Sequence, residues 1–155
     1  MRALCLFTVL GLLCVTDAIA ATDPFAGKWV LEVSQSNYPA GEAPKSMTIE
    51  METVGNGVRY QSDSTYADGR TTHAEYTAEY EGNQVLVTGS HGLMLPVSLK
   101  RIDARTVVAS YTKGLVVAAT SRRVVSEDGR HMVITTTSKD GSGKAVVTVG
   151  LYKRQ

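Results

Sequence analysis

Cysteine, long apolar runs and basic clusters are all scarce in this sequence. Its 155 residues include only 2 cysteines, Cys5 and Cys14, both near the start of the chain. No apolar run reaches the roughly 20 residues that a membrane-spanning helix requires, and the formal net charge is only +1, with both signs scattered along the chain. We therefore expect no transmembrane segment and no nucleic-acid partner, because no basic run could follow a phosphate backbone.

The N-terminal segment has the three zones of a secretory signal peptide. Arg2 precedes an apolar stretch over residues 3–16, and Ala18-Ile19-Ala20 has the small outer residues that signal peptidase prefers. We expect removal of residues 1–20, export to a periplasmic or secreted location, and a single domain over residues 21–155. Cleavage would remove both cysteines, which excludes disulfides and cysteine-ligated zinc from the mature chain.

Turn signals punctuate the chain after position 45. Glycine and asparagine accept the positive φ values of tight reversals, and the segments between these signals are rich in valine, threonine and tyrosine, as strands prefer. No window has the 3.6-residue period of a substantial helix, so the sequence predicts an all-β fold. The turn signals are Gly55-Asn56-Gly57, Asp68-Gly69, Glu81-Gly82-Asn83, His91-Gly92, Asp103-Ala104-Arg105, Lys113-Gly114, Asp128-Gly129 and Asp140-Gly141-Ser142-Gly143.

Apolar and polar residues alternate in several segments, for example at Met47, Ile49 and Met51. Such alternation gives each strand one buried and one solvated face. Many short strands with short links predict a single up-and-down antiparallel β-barrel of eight to ten strands, because closing the sheet removes its edges. A two-sheet β-sandwich is the alternative, since strand spacing alone does not distinguish them. Residues 34–44 break the pattern and predict an irregular loop or a lid.

The segment Phe25-Ala26-Gly27-Lys28-Trp29 resembles the first-strand signature of the calycins, which include lipocalins and intracellular fatty-acid-binding proteins. The resemblance implies that Gly27 and Trp29 lie at the barrel floor, with the indole beneath a basic side chain from a late strand. An arginine can stack on an indole face. The candidate partners are Arg122, Arg123 and Arg154. The alternative is that Trp29 is an ordinary core aromatic of a β domain.

The end of the chain departs from that resemblance. Fatty-acid-binding proteins end in Arg-x-Tyr, whose arginine and tyrosine hold the ligand carboxylate, whereas this chain has Gly150-Leu151-Tyr152. Only Tyr152 matches. Fatty-acid binding is therefore not carried over to this protein.

A ligand cavity is the leading functional prediction. If the more apolar faces point inward, the lining mixes large side chains with small ones, which leaves room for a cavity. The inward residues would be Met47, Ile49, Met51, Val58, Tyr60, Ser62, Ala74, Tyr76, Ala78, Val107, Ala109 and Tyr111. Tyrosines suit a mostly apolar ligand with one or two polar groups, although they could instead pack against one another in a core.

Arg122 and Arg123 are adjacent charges in an otherwise apolar strand, so alternation directs one inward and the other outward. The inward arginine needs a partner, because an unpaired buried charge is costly. We assign Arg123 to the barrel floor beside Gly27 and Trp29. The predicted ligand-binding residues are then Met47, Tyr60, Tyr76, Tyr111 and Arg122.

Catalytic and metal-binding patterns are weak. His73, His91 and His131 lie far apart, and residues 139–144 lack the first glycine of a phosphate-binding loop. We predict no metal, no cofactor and no enzymatic activity. The leading hypothesis is an exported protein that carries or sequesters a small apolar or amphipathic molecule. The alternatives are a structural or protein-binding barrel of the cell envelope without a ligand, and an enzyme with an interior tyrosine or histidine acid–base group.

Overall fold

The computed structural model describes residues 22–90 and 94–155. The predicted leader, its cleavage site and the His91-Gly92 turn signal lie outside the described residues. The described residues form a short 3₁₀ helix, Val33–Gln35, and ten strands. The strands are β1 Gly27–Leu31, β2 Ser46–Val54, β3 Gly57–Thr65, β4 Thr71–Glu79, β5 Thr88–Ser90, β6 Val97–Asp103, β7 Thr106–Lys113, β8 Val116–Val125, β9 His131–Lys139 and β10 Ala145–Arg154.

Predicted turn signals separate the strands. Gly114, between β7 and β8, has φ of 62°, and Gly129, between β8 and β9, has φ of 68°. Residues with side chains rarely adopt this region, so glycine is favoured at these reversals. The all-β prediction and the predicted strand number are confirmed.

All ten strands belong to one antiparallel sheet, in the order β5-β4-β3-β2-β1-β10-β9-β8-β7-β6. Only the pairing of β1 with β10 joins strands that are distant in sequence, with Trp29 opposite Arg154 and Leu31 opposite Tyr152. This pairing rolls an up-and-down meander into a barrel. The two-sheet sandwich alternative is wrong, because the strands form a single sheet.

Full closure, expected from the sequence, is not reached at the seam between β5 and β6. The segment before β5 meets β6 only at isolated bridges, between Tyr80 and Leu99 and between Val85 and Val97. Val85 and Val97 exchange backbone hydrogen bonds of 2.9 and 2.8 Å. Strand pairing is therefore continuous from β5 through β1 and β10 to β6, and only isolated bridges join the two ends of the sheet.

The core includes large side chains on and beside β1. Trp29 is 0% exposed, Phe25 1% and Ile49 0%. All the side chains predicted to point inward are buried in the core or line its cavity, so the inward alternation on β2, β3, β4 and β7 is confirmed. The predicted irregular loop is also present, broken only by the 3₁₀ helix. In the described part of the chain, no helix has the length and apolarity of a membrane span.

Candidate functional site

A cavity of about 260 Å³ lies inside the barrel, at the end opposite Trp29. Strands from both halves of the sheet line it, and Tyr38 and Pro44 from the first loop lie at its mouth. Small side chains leave this space: Ser62 and Ala74 stand where larger residues would fill the barrel. Alternation directs these residues inward, so the cavity follows from the strand pattern.

Arg123 is the charged group of the cavity. It is only 2% exposed, and its Nη2 donates hydrogen bonds to the hydroxyls of Tyr76, at 2.7 Å, and Tyr111, at 3.5 Å. The guanidinium carbon lies 4.6 Å from the ring centroid of Tyr60. Tyr60 and Tyr76 are themselves stacked, with ring centroids 4.8 Å apart and planes 13° from parallel. Three aromatic side chains thus hold one buried cation.

No carboxylate of the described residues forms an ion pair with Arg123. Its Nε has no hydrogen-bond partner, and it is the one fully buried side-chain nitrogen or oxygen in this state among residues 22–90 and 94–155. A buried charge without a counter-charge is strongly unfavourable unless something compensates it. Among residues 22–90 and 94–155, the positive charge in the cavity thus has aromatic and hydroxyl neighbours but no carboxylate counter-charge.

Tyr60 and Tyr76 are neutral at physiological pH. Burial raises the pKa of Tyr76 far above its ordinary value, and the nearby Arg123 charge only partly offsets this. Burial likewise raises the pKa of Tyr60. Burial alone would lower the pKa of Arg123, but the adjacent tyrosine oxygens outweigh it, so the pKa of Arg123 is raised. The site combines the permanent cation of Arg123 with the neutral hydroxyls of Tyr60 and Tyr76, and these two tyrosines are poorly suited to proton transfer near neutral pH.

Hydroxyl groups line the rest of the cavity. Ser64 continues the inward alternation of β3 beyond Ser62, and Ser121 Oγ lies 2.7 Å from Thr136 Oγ1 across β8 and β9. The sequence prediction omitted Ser64 and Thr136, although extending the alternation of β3 by one step identifies the serine. The cavity lining is therefore more polar than the lining that the sequence analysis predicted.

Tyr152 and Tyr38 also line the cavity. Tyr152 donates a hydrogen bond to the sulfur of Met47, at 3.2 Å. Tyr38 is half-buried, and burial raises its pKa. Gly150 makes room for both rings, because a Cβ there would lie 2.7 Å from a Tyr152 ring carbon and 3.0 Å from the Tyr38 hydroxyl.

The barrel floor combines an indole and a guanidinium. Trp29 Nε1 donates a hydrogen bond to the carbonyl of Phe25 at 2.9 Å, and the Arg154 guanidinium lies 4.2 Å from the Trp29 ring centroid. Arg154 also donates hydrogen bonds to the carbonyls of Ala26 and Pro24. A Cβ at Gly27, where φ is 127°, would lie 2.8 Å from Arg154 Nη1, so this position requires glycine.

Neither of the two adjacent arginines lies where it was predicted. Arg123, assigned to the floor, faces the cavity, and Arg122, assigned to the cavity, is exposed on the outer face. The floor partner is Arg154, which was among the candidate residues. The reason is the phase of β8: Ser121, Arg123 and Val125 share the inward face. The inward-and-outward division of the pair is as predicted.

The other predicted site residues, Met47, Tyr60, Tyr76 and Tyr111, all line the cavity together. The described histidines do not. His73 is bonded on the outer face to Asp63, at 2.8 Å, and His131 is half-buried at the start of β9. Within residues 22–90 and 94–155, no group of three or more histidine, cysteine, aspartate or glutamate side chains is arranged to hold a metal ion.

The rolled up-and-down sheet and the β1–β10 pairing form a barrel whose fold is similar to that of the calycins, as the sequence resemblance predicted. The crystal structure of zebrafish ileal bile acid-binding protein complexed with cholic acid matches with a TM-score of 0.51 at 13% identity, over 85% of this chain and 99% of that chain. Apocrustacyanin C2 matches with a TM-score of 0.42 at 12% identity, over 86% of this chain and 62% of that chain. No protein-family model and no curated protein sequence matches the chain.

Proposed function

We propose that the protein binds a small amphipathic molecule carrying an anionic group, with the anion held by Arg123. The observation that carries this proposal is the buried guanidinium that faces the cavity without a carboxylate partner among the described residues. An anionic ligand would supply the missing counter-charge. Its oxygens could also accept hydrogen bonds from Arg123 and from the hydroxyls of Tyr76 and Tyr111, and charge-assisted bonds of this kind are the strong ones.

The size and lining of the cavity limit the rest of the ligand. Ligand pockets commonly measure about 300–1,000 Å³, so a cavity of about 260 Å³ suits a compact molecule. Met47, Ile49 and Val87 offer apolar surface, while the serine and threonine hydroxyls offer hydrogen bonds. The cholic acid complex of the zebrafish protein supports ligand binding inside a barrel of this fold. We also propose that the protein acts outside the cytoplasm after removal of residues 1–20, and N-terminal sequencing of the exported protein tests this.

The two alternative functions have less support. A solid structural barrel does not account for a cavity that contains a cation without a carboxylate partner among the described residues. Catalysis by an interior tyrosine is disfavoured because burial shifts the pKa of Tyr76 away from neutrality. Neither described histidine lines the cavity. Binding without chemistry explains the site more simply.

A matched pair of ligands tests the proposal. The assay uses a fluorescent naphthalene sulfonate as the probe. A short-chain alkyl carboxylate, or the alcohol of the same chain length, is then added as the competitor. We expect the carboxylate to compete at least about tenfold better, since a hydrogen bond to a charged group contributes about 1.5–3 kcal/mol. Equal competition would refute the anion assignment, and absence of any competition or probe binding would refute ligand binding itself.

A further inference from the structure

The turn between β7 and β8 carries an unusual apolar feature. Leu115 is 104% exposed, Val116 68% and Val117 54%. We call these residues the aliphatic tip. The turn itself does not require them, because Gly114 supplies the positive φ of 62° and turns otherwise favour polar residues. Neighbouring apolar residues that are exposed without a structural role mark an interaction site.

The aliphatic tip lies at the mouth end of the barrel. Because successive strands run in opposite directions, β7 leaves the floor at Thr106 and reaches the mouth at Lys113. Tyr111, two residues before Lys113, lines the cavity. The β9–β10 turn reaches the same end of the barrel. The tip therefore stands on the rim through which a ligand would enter.

Lysines surround the aliphatic tip. Lys113 belongs to the same hairpin, and Lys139 and Lys144 flank the adjacent β9–β10 turn; we call these three exposed residues the lysine collar. None of them forms an ion pair with a described residue. Asp140 is the acidic residue of that turn, and its carboxylate accepts hydrogen bonds from the turn itself, including the Ser142 hydroxyl at 2.6 Å. The two hairpin ends carry an excess of positive charge.

We propose that the aliphatic tip and the lysine collar dock the mouth of the barrel onto an anionic lipid surface. Aliphatic side chains would enter the interfacial region while lysines contact the headgroup phosphates, the division of roles seen in interfacial anchors. The shape of the feature favours lipid over a protein. A stable protein interface buries about 800 Å² on each partner, whereas three aliphatic side chains on a protruding turn offer a narrow wedge that a fluid surface accommodates.

Tryptophan fluorescence measures this docking directly. The natural Trp29 is fully buried, so its emission gives a constant background. We place a reporter in the tip with L115W and a matched reporter with Ile102→Trp, since Ile102 is 50% exposed near the floor end of β6. Full-length protein from an exporting host is mixed with vesicles of phosphatidylcholine, alone or with phosphatidylglycerol. All variants share the same N-terminal segment, so differences between them report the tip and the collar.

We expect L115W emission to shift to the blue with anionic vesicles only, and the Ile102→Trp reporter to stay unchanged. Replacing the lysine collar with glutamines should weaken binding about fivefold for each charge, and V116S should weaken it further. A blue shift of both reporters, or of neither, would overturn the proposal. So would equal binding to neutral vesicles. Concentration-dependent dimers that disappear in L115S would identify a second copy of the chain as the occupant and would also overturn it.

Discussion

Replacing Arg123 with methionine separates a binding role from a structural one. The substitution removes a hydrogen bond to Tyr76 and the stacking on Tyr60, which together contribute about 1–4 kcal/mol. It also removes a buried charge that lacks a carboxylate partner among the described residues, and burying an ion costs several kcal/mol. Methionine is flexible and fills irregular space. We expect the free energy of unfolding to change by no more than about 1 kcal/mol or to increase, whereas a structural arginine would make it fall.

Denaturant unfolding and ligand titration of the same samples check this. Affinity for an anionic amphipath should fall about tenfold to one-hundred-fold, the equivalent of losing about 1.5–3 kcal/mol. Arg122→Met is the matched control, because Arg122 is exposed on the outer face, and both quantities should stay near those of the unmodified protein. A loss of clearly more than about 1 kcal/mol of stability in Arg123→Met, the contribution of a typical hydrogen bond, or an unchanged affinity, would refute the reasoning.

Three further predictions concern the tyrosines, the mouth and the floor. Burial raises the folded-state pKa of Tyr76 above its ordinary value of 10.0, so the folded protein binds more protons than the unfolded chain above that pH. Stability should therefore fall as the pH rises past 10.0. Reversible ionisation of every tyrosine in the folded state, followed by ultraviolet absorbance, would contradict this. Gly150→Ala places a Cβ 2.7 Å from a ring carbon of Tyr152, so thermal unfolding should show a loss of about 1–3 kcal/mol, and unchanged stability would mean that the ring moves freely. Arg154→Gln uncovers the face of Trp29 and should cost about 1–3 kcal/mol with a change in tryptophan emission, while an unaltered spectrum would count against the stacking.

The strand pattern predicted the fold well because two local signals agree. Glycine at the reversals and alternation between them both follow from backbone sterics, which act over a few residues. Met47, Ile49 and Tyr60 could therefore be assigned inward before any tertiary contact was known, and the structure confirms them. The incomplete seam between β5 and β6 could not be predicted, because it depends on how far the sheet curls.

The phase of β8 could not be predicted from polarity. Its inward face includes Ser121 and Arg123, and its outer face includes Thr120 and Arg122, so neither face is clearly more apolar. The general rule that the apolar face points inward assumes a solid core. A hollow barrel relaxes that rule, since hydroxyls and a cation can face a cavity. The polar inward face of β8 is therefore consistent with a cavity and not with a solid core.

Steric crowding at Gly150 accounts for the absence of a cavity cation on β10. In the resembling fatty-acid-binding proteins, the arginine of Arg-x-Tyr would occupy the position of Gly150. Here even a methyl group at that position would lie 3.0 Å from the hydroxyl of Tyr38, and a guanidinium would need to displace this tyrosine from the mouth. Tyr38 in its present position and an arginine at position 150 therefore exclude each other. The cation that lines the cavity comes instead from β8, as Arg123, which is 2% exposed.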